Sequence, residues 1–289
     1  MNNHWSEYWR QGYITSFGDA FKSNYQGEIK SLWESFSLSL NKNSKVLDVG
    51  TGNGALVKLI QNVSEHECIG IDLARINTKV TQCINGHFIS NVSAENMPFN
   101  NNEFDAVISQ FALEYSQVEL SIKEVYRVLK PGGKLYLVCH CPDSKIVLPN
   151  KLILKVCHKV KNNILSDLKK LVTKLSNNEE IDICKVKIED FISSFKSDSR
   201  TALEDTNFPS FYNFLLSNKN IDFNRAYNLF ESELELLMLR LNELVNASEN
   251  TVNLRVRLKD SSSLFSQVNS RELKDRSNNL MAIVVTAKK

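Results

Sequence analysis

Glycine and proline are scarce in this chain. Only 10 glycines and 5 prolines occur in 289 residues, and no glycine falls between positions 143 and 250. That stretch lacks the residue that most readily interrupts regular structure, which argues for successive helices rather than a loop-rich insertion. An excess of one charge is also missing: 35 Lys and Arg against 33 Asp and Glu leave a net charge of +2, which by itself points to neither nucleic acid nor a membrane surface. No stretch approaches the ~18 continuous apolar residues of a membrane span. The N-terminus is aromatic and polar, not the basic-then-apolar pattern of a signal peptide. The expected location is therefore the cytoplasm, with the six cysteines (68, 83, 139, 141, 157 and 184) reduced and mostly buried. Cys139-His140-Cys141 invites a metal, yet no second Cys/His pair stands at finger-like spacing, so none is expected. What remains, 42% hydrophobic and 24% charged residues, is the make-up of a soluble globular protein with a sizeable core.

The rest of the chain is organised around Val46-Leu47-Asp48-Val49-Gly50-Thr51-Gly52-Asn53-Gly54. A short apolar run, a glycine-rich turn and the apolar Ala55–Ile60 read as strand, turn and helix, the opening of a βαβ unit. Dinucleotide enzymes place a pyrophosphate on G-x-G-x-x-G at the helix N-terminus. Here the spacing is G-x-G-x-G, and Asp48 sits two residues before the first glycine. A carboxylate there repels a pyrophosphate and suits a ligand carrying an ammonium or sulfonium group, so a nicotinamide or flavin oxidoreductase is disfavoured. Asp72 closes the next apolar run, Cys68-Ile69-Gly70-Ile71, where an acid can accept hydrogen bonds from both ribose hydroxyls.

Together these features resemble the first two motifs of class I S-adenosylmethionine-dependent methyltransferases. The resemblance extends over residues 44–140. Ser93-Ala94-Glu95-Asn96-Met97-Pro98-Phe99 followed by Phe104-Asp105-Ala106-Val107 is similar to the "D-A-E-x-L-P-F … F-D-x-V" block of the type 11 subfamily. Val128-Leu129-Lys130-Pro131-Gly132-Gly133 matches its turn before strand five. The resemblance implies an α/β fold, a Rossmann-like seven-stranded methyltransferase sheet with an N-terminal helical lid and a helical insertion after strand five. It implies S-adenosylmethionine as cofactor, held by Tyr13, Asp48, Gly50, Thr51, Gly52, Asp72, Leu73, Ala94, Glu95 and Gln110. Ser93 stands where the family has Asp, so the adenine contact passes to Glu95 or to backbone. Beyond strand four, Glu114 and Tyr115 are expected to face the methyl acceptor, although Glu114 reads equally as the cap of the next helix. Glu114 and His140 are the candidates for a general base if the acceptor must lose a proton; His140 reads also as a packing residue.

The flanks carry less specific signals. Residues 1–40 are dense in rings, with Trp5, Tyr8 and Trp9 on one helical face and Phe17, Phe21, Tyr25, Trp33 and Phe36 beyond. They either cover the core or, around Tyr13, Thr15 and Ser16 between Gly12 and Gly18, form the lid. Residues 151–175 read as a helix with seven lysines against one acid, Asp167, and residues 175–249 reverse the balance, with seven basic and fourteen acidic side chains. A solvated face pairing with the acidic helices is expected there, ahead of a membrane or nucleic-acid surface. Thr251–Lys259 alternates apolar and polar residues, which argues a strand, and with Leu280–Thr286 it would form the closing antiparallel pair. The expected division is residues 1–142 with 251–289 as methyltransferase core and cap, and 143–250 as a helical substrate-recognition insertion. A small-molecule acceptor leads, partly because no Asn/Asp-Pro-Pro-Tyr/Phe motif follows strand four. A nucleic-acid or protein acceptor, or a non-catalytic cofactor-binding module, are the other readings.

Overall fold

The computed structural model describes residues 4–18, 23–260 and 264–289; Phe21 lies outside them. The ring-bearing face of the N-terminal segment becomes helix α1 (His4–Arg10), and α2 (Gly27–Leu38) buries Ile29, Leu32, Trp33 and Phe36 at helical spacing. The sheet then follows in alternation: β1 (Lys45–Val49), α3 (Ala55–Gln61), β2 (Glu67–Asp72), the one-turn α4 (Thr78–Thr81), β3 (His87–Ser90), β4 (Phe104–Gln110), α5 (Val118–Val128) and β5 (Leu129–Cys139). Strands β6 (Ser266–Lys274) and β7 (Leu280–Lys288) complete a seven-stranded sheet in the order β3-β2-β1-β4-β5-β7-β6. The first five are parallel, and β7 runs antiparallel to both β5 and β6. Central strands of such a sheet are covered on both faces, so they read as near-continuous apolar runs; Ala106, Val107 and Ile108 of β4 are fully buried. Strand five starts earlier than expected. Pro131-Gly132-Gly133 does not break it but loops out within it, since Leu129 pairs with Phe104 and Lys134 with Ala106.

The chain divides into two units, Met1–Ser144 with Ala247–Lys289, and Lys145–Asn246. In the first, Val125, Val128, Leu254, Leu258 and Phe265 pack with Leu135 and Leu137 in one apolar cluster. The rings of Trp33 and Phe36 meet Tyr136 of β5. The second unit is helical: α6 (Val147–Lys159), a π-helical turn (Val160–Ile164), α7 (Leu165–Ser176), α8 (Asp182–Ser193), α9 (Asp198–Glu204), α10 (Phe208–Ser217) and the first part of α11 (Phe223–Asp260). Its own cluster includes Val160, Leu168, Leu171, Ile188, Leu203, Phe208 and Leu215, all essentially without solvent contact. The expected pairing of the basic stretch with the acidic helices is present at Lys161–Glu235 (2.8 Å); Lys187 of α8 and Lys170 share Asp167, and Lys174 meets Glu179 in the turn that follows α7 (3.8 Å).

One expectation is overturned. Thr251–Lys259 is not a strand; it is the last part of α11, and the partner of β7 is β6. The alternation that suggested a strand is two helical stripes. Leu254 and Leu258, four apart, are fully buried, while Val252 and Val256, also four apart, are each 51% exposed on the other side. A period of two and a pair of i,i+4 stripes coincide over so short a run.

Candidate cofactor site

The strand order reverses between β1 and β4, and in open α/β sheets ligands bind beyond the carboxyl ends of the strands at such a point. The glycine turn follows β1 there. Backbone N–H groups of Gly50 and Thr51 both donate to the Ile71 carbonyl (2.8 and 2.9 Å), which ties the turn to β2. Gly50 has φ +75°, and a Cβ on it would lie 2.1 Å from the Cβ of Ala112. Gly52 has φ +53°, and its Cβ would strike the indole of Trp9 at 2.5 Å. At both positions handedness and close approach admit only glycine.

Asp48 is buried at the end of β1. Its Oδ2 accepts from the Thr51 hydroxyl at 2.7 Å, and its Oδ1 has no hydrogen-bond partner. Burial pushes this carboxyl up to about 7; the Thr51 bond pulls against that, and the charge of Asp72 adds to it. Asp72, last residue of β2, accepts from the Gly52 N–H (2.8 Å) and the Ala74 N–H (2.7 Å). Burial raises it to about 6 despite those two donors. No lysine or arginine pairs with either acid among the described residues. Two desolvated carboxyls without a counter-cation are costly unless a ligand brings the positive charge.

A second group lies beyond β4 and β5. Gln110 ends β4; its Oε1 accepts from the Trp33 indole N–H at 2.6 Å, while its Nε2 completes no hydrogen bond. Phe111 follows with φ +54°, a left-handed conformation that is an outlier for so bulky a residue. Its ring stacks on His140, centroids 4.3 Å apart and planes 15° apart. Glu114, fully buried in a 3-10 turn (Leu113–Tyr115), accepts from the His140 backbone N–H at 2.8 Å through Oε1, and its Oε2 is unpartnered. Burial lifts Glu114 to about 7 and drops the His140 imidazole, whose Nδ1 is also unpartnered, to about 3. Of six buried side-chain polar atoms without a partner among the described residues, four belong to Asp48, Gln110, Glu114 and His140.

Not every expected residue joins these groups. Leu73 is 62% exposed. Ala94 is partly buried. Glu95 is engaged by its own neighbours, accepting from the Ser93 hydroxyl and from the Gln117 N–H at the start of α5 (2.8 Å). Tyr13 docks by its backbone, its carbonyl accepting from Asn53 Nδ2 at 2.7 Å, and Tyr115 sets its ring edge-on to His140 at 5.9 Å. Residues that sequence reasoning missed are Asn53, Asn77, Trp9 and Phe111. Asn53 Nδ2 also donates to the Trp9 carbonyl, and Asn77 Nδ2 donates to those of Trp9 and Arg10. Asn53 could have been suspected from its place between two loop glycines. Nothing local marks Phe111.

The description "Methyltransferase domain" belongs to the family model that matches residues 47–137. These residues are a class I S-adenosylmethionine-dependent methyltransferase domain. The cofactor of such a domain is S-adenosylmethionine, and the two uncompensated acids fit its positive charge. The chain is 29% identical over 178 residues to an uncharacterized protein of Methanocaldococcus jannaschii, covering 61% of this chain and 67% of that one. It is 30% identical over 136 residues to the ubiquinone/menaquinone biosynthesis C-methyltransferase UbiE of Chromobacterium violaceum, 43% of this chain and 56% of the other. A structure described as a putative sarcosine dimethylglycine methyltransferase from Galdieria sulphuraria aligns at 14% identity and a TM-score of 0.41, over 91% of this chain and 84% of that one. The chain thus spans only about half the length of the curated methyltransferase and about two thirds of the archaeal protein. No described helix is long and apolar enough to cross a membrane.

Proposed function

We propose that the protein transfers the methyl group of S-adenosylmethionine to a small-molecule acceptor by in-line displacement. The observation that carries this is the pair Asp48, buried, and Asp72, half-buried: both are raised by desolvation and neither is paired with a lysine or arginine among the described residues. When bound, the cofactor supplies a methyl carbon already activated by its sulfonium; the acceptor's lone pair makes the new bond as the carbon–sulfur bond breaks and its electrons stay on sulfur. The chain's work is therefore to bind, orient and exclude water, and positioning of that kind supplies on the order of 7–11 kcal/mol. Asp72 is the ribose acceptor, with Leu73, Ala94 and Glu95 toward the adenine and Gln110 toward the methionine half. Asp48 acts through Thr51 and the Gly50–Gly52 turn, and its charge favours the cationic end of the cofactor.

Residues 4–18 form the lid in this reading, with Tyr13 held by its carbonyl. Support comes from Asn53 and Asn77, which hold the carbonyls of Trp9, Arg10 and Tyr13 against the glycine turn. Glu114 is the better general base of the two candidates, since a carboxyl near 7 exchanges protons at working pH, whereas an imidazole at about 3 stays neutral. The helical unit 145–246 is assigned to acceptor recognition from its place in the chain directly after β5. Nucleic acid is disfavoured as acceptor because Lys161, Lys170 and Lys174 already meet carboxylates. Calorimetric titration with S-adenosylmethionine tests the assignment. Asp72→Ala is expected to weaken binding at least tenfold, and unchanged affinity overturns it.

A further inference from the structure

Helix α11 carries two apolar faces where its place in the helical unit needs one. Between residues 229 and 243, Phe230, Leu234, Met238 and Leu241 recur at helical spacing and are buried in that unit's cluster. A surface helix with one face so packed normally turns polar side chains to the opposite side. Here Leu229, Leu236 and Leu239 stand there instead, 59%, 45% and 51% exposed. Seven and then three residues apart, they follow the a-and-d spacing of a helix–helix seam. Single exposed leucines are ordinary surface; three on one stripe of about 15 Å are not.

Two opposite charges border the stripe. Glu233 and Arg240 each follow a seam leucine by four residues, so both lie on the same flank of it. Both are exposed, and neither is in an ion pair among the described residues. Glu235, on the other flank, is already held by Lys161 at 2.8 Å.

We propose that this stripe is the contact with a second copy of the chain, the two α11 helices packing antiparallel about a two-fold axis beside Leu236. A two-fold contact uses the same patch twice and must therefore be complementary to itself. Antiparallel pairing sets Glu233 against Arg240 of the partner subunit and Arg240 against the partner's Glu233, so one stripe supplies both signs. Parallel pairing would direct Arg240 to the partner's Glu235, a carboxylate already engaged by its own Lys161. The exposed leucines of both copies close the seam between the two ion pairs. A contact of this extent falls at the low end of interface sizes, below about 1,200 Å² in total, which makes a reversible dimer and not a permanent one. Only residues of the helical unit enter it, and it stands whether or not the sheet unit binds S-adenosylmethionine.

Sedimentation velocity of the full chain, followed from about 1 to 100 μM, tests the proposal. The wild type is expected to move from 32.9 kDa toward twice that mass. Leu236→Glu, at an exposed position beside the axis, should weaken the dimer at least tenfold, with circular dichroism confirming the fold. Glu233→Arg and Arg240→Glu should each weaken it several-fold, because each sets like charges together twice. Mixed one to one, these two variants should associate as the wild type does, since each brings the charge the other lacks. The double swap E233R/R240E should associate equally well. A wild type that stays monomeric throughout overturns the proposal and leaves the stripe to a different partner; so does a dimer indifferent to Leu236→Glu. Charge variants that dimerise like the wild type, or that stay apart when mixed, overturn the antiparallel pairing.

Discussion

The helical unit of residues 145–246 keeps Leu168, Ile188 and Phe208 wholly out of solvent and, among its described residues, leaves no buried side-chain polar atom without a partner. The sheet unit buries an apolar core of similar kind, with Leu47, Phe104 and Val107 at zero exposure. Yet it also buries Asp48, Glu114, Gln110 and His140 with atoms unmatched, and strains Phe111 beside them. Apolar packing is added wherever it lowers free energy. Unmatched polarity and strain raise it, and the gathering of four of the six unmatched atoms with Phe111 beyond the ends of β1, β4 and β5 marks where folding has yielded to binding. In the helical unit Lys159 sits over Phe195 and Lys169 over Tyr227, while Lys161 and Lys170 meet carboxylates.

The largest effect that would break this comparison is a core deletion in the helical unit. Phe208 packs against Phe191 and Phe230, and Phe208→Ala should cost about 3–5 kcal/mol in urea denaturation. Calorimetry should find affinity for S-adenosylmethionine unchanged within threefold. A larger loss would mean that the helical unit shares in cofactor binding.

The next effect runs the other way. Asp48 titrates near 7 and Asp72 near 6 in the fold, against about 3.9 for an unfolded aspartate. A folded value above the unfolded one means that the stability tied to the protonated form is complete below about pH 4 and is lost as pH rises through 6 to 7. Asp48→Asn removes the desolvated charge and keeps an acceptor for Thr51. At pH 8 it should stabilise the protein by about 1–3 kcal/mol relative to its effect below pH 4, where the ionisation contribution vanishes, while cofactor affinity drops. Wild-type affinity should climb between pH 5.5 and 7.5, as the carboxyls ionise toward a cationic ligand. A flat stability difference across pH would remove the buried charge from the account.

How much of this was legible beforehand follows from what local pattern encodes. The glycine turn, Asp48 and Asp72 stood out because the chemistry is carried by residue types at fixed spacing along one segment. The parallel strands were legible for the same reason, as apolar runs between turn signals. Phe111's conformation was hidden, since its stacking partner His140 and the glycine turn that its neighbour Ala112 approaches lie far apart in sequence. The partnership of Glu114 with the His140 backbone was hidden likewise, and so was the hold of Asn53 on the carbonyls of Trp9 and Tyr13.

The smallest effect concerns Thr251–Lys259, where pattern misled. On a strand, Val252, Leu254, Val256 and Leu258 would share one buried face, and a charge at any of them would cost several kcal/mol. On α11, Val256 is half-exposed, on the side away from Leu254 and Leu258. Val256→Lys should therefore change stability by no more than about 0.5 kcal/mol, since lysine is a better helix former than valine and loses less side-chain freedom there. A cost of several kcal/mol in the same denaturation assay would restore the strand and take β6 out of its place beside β7.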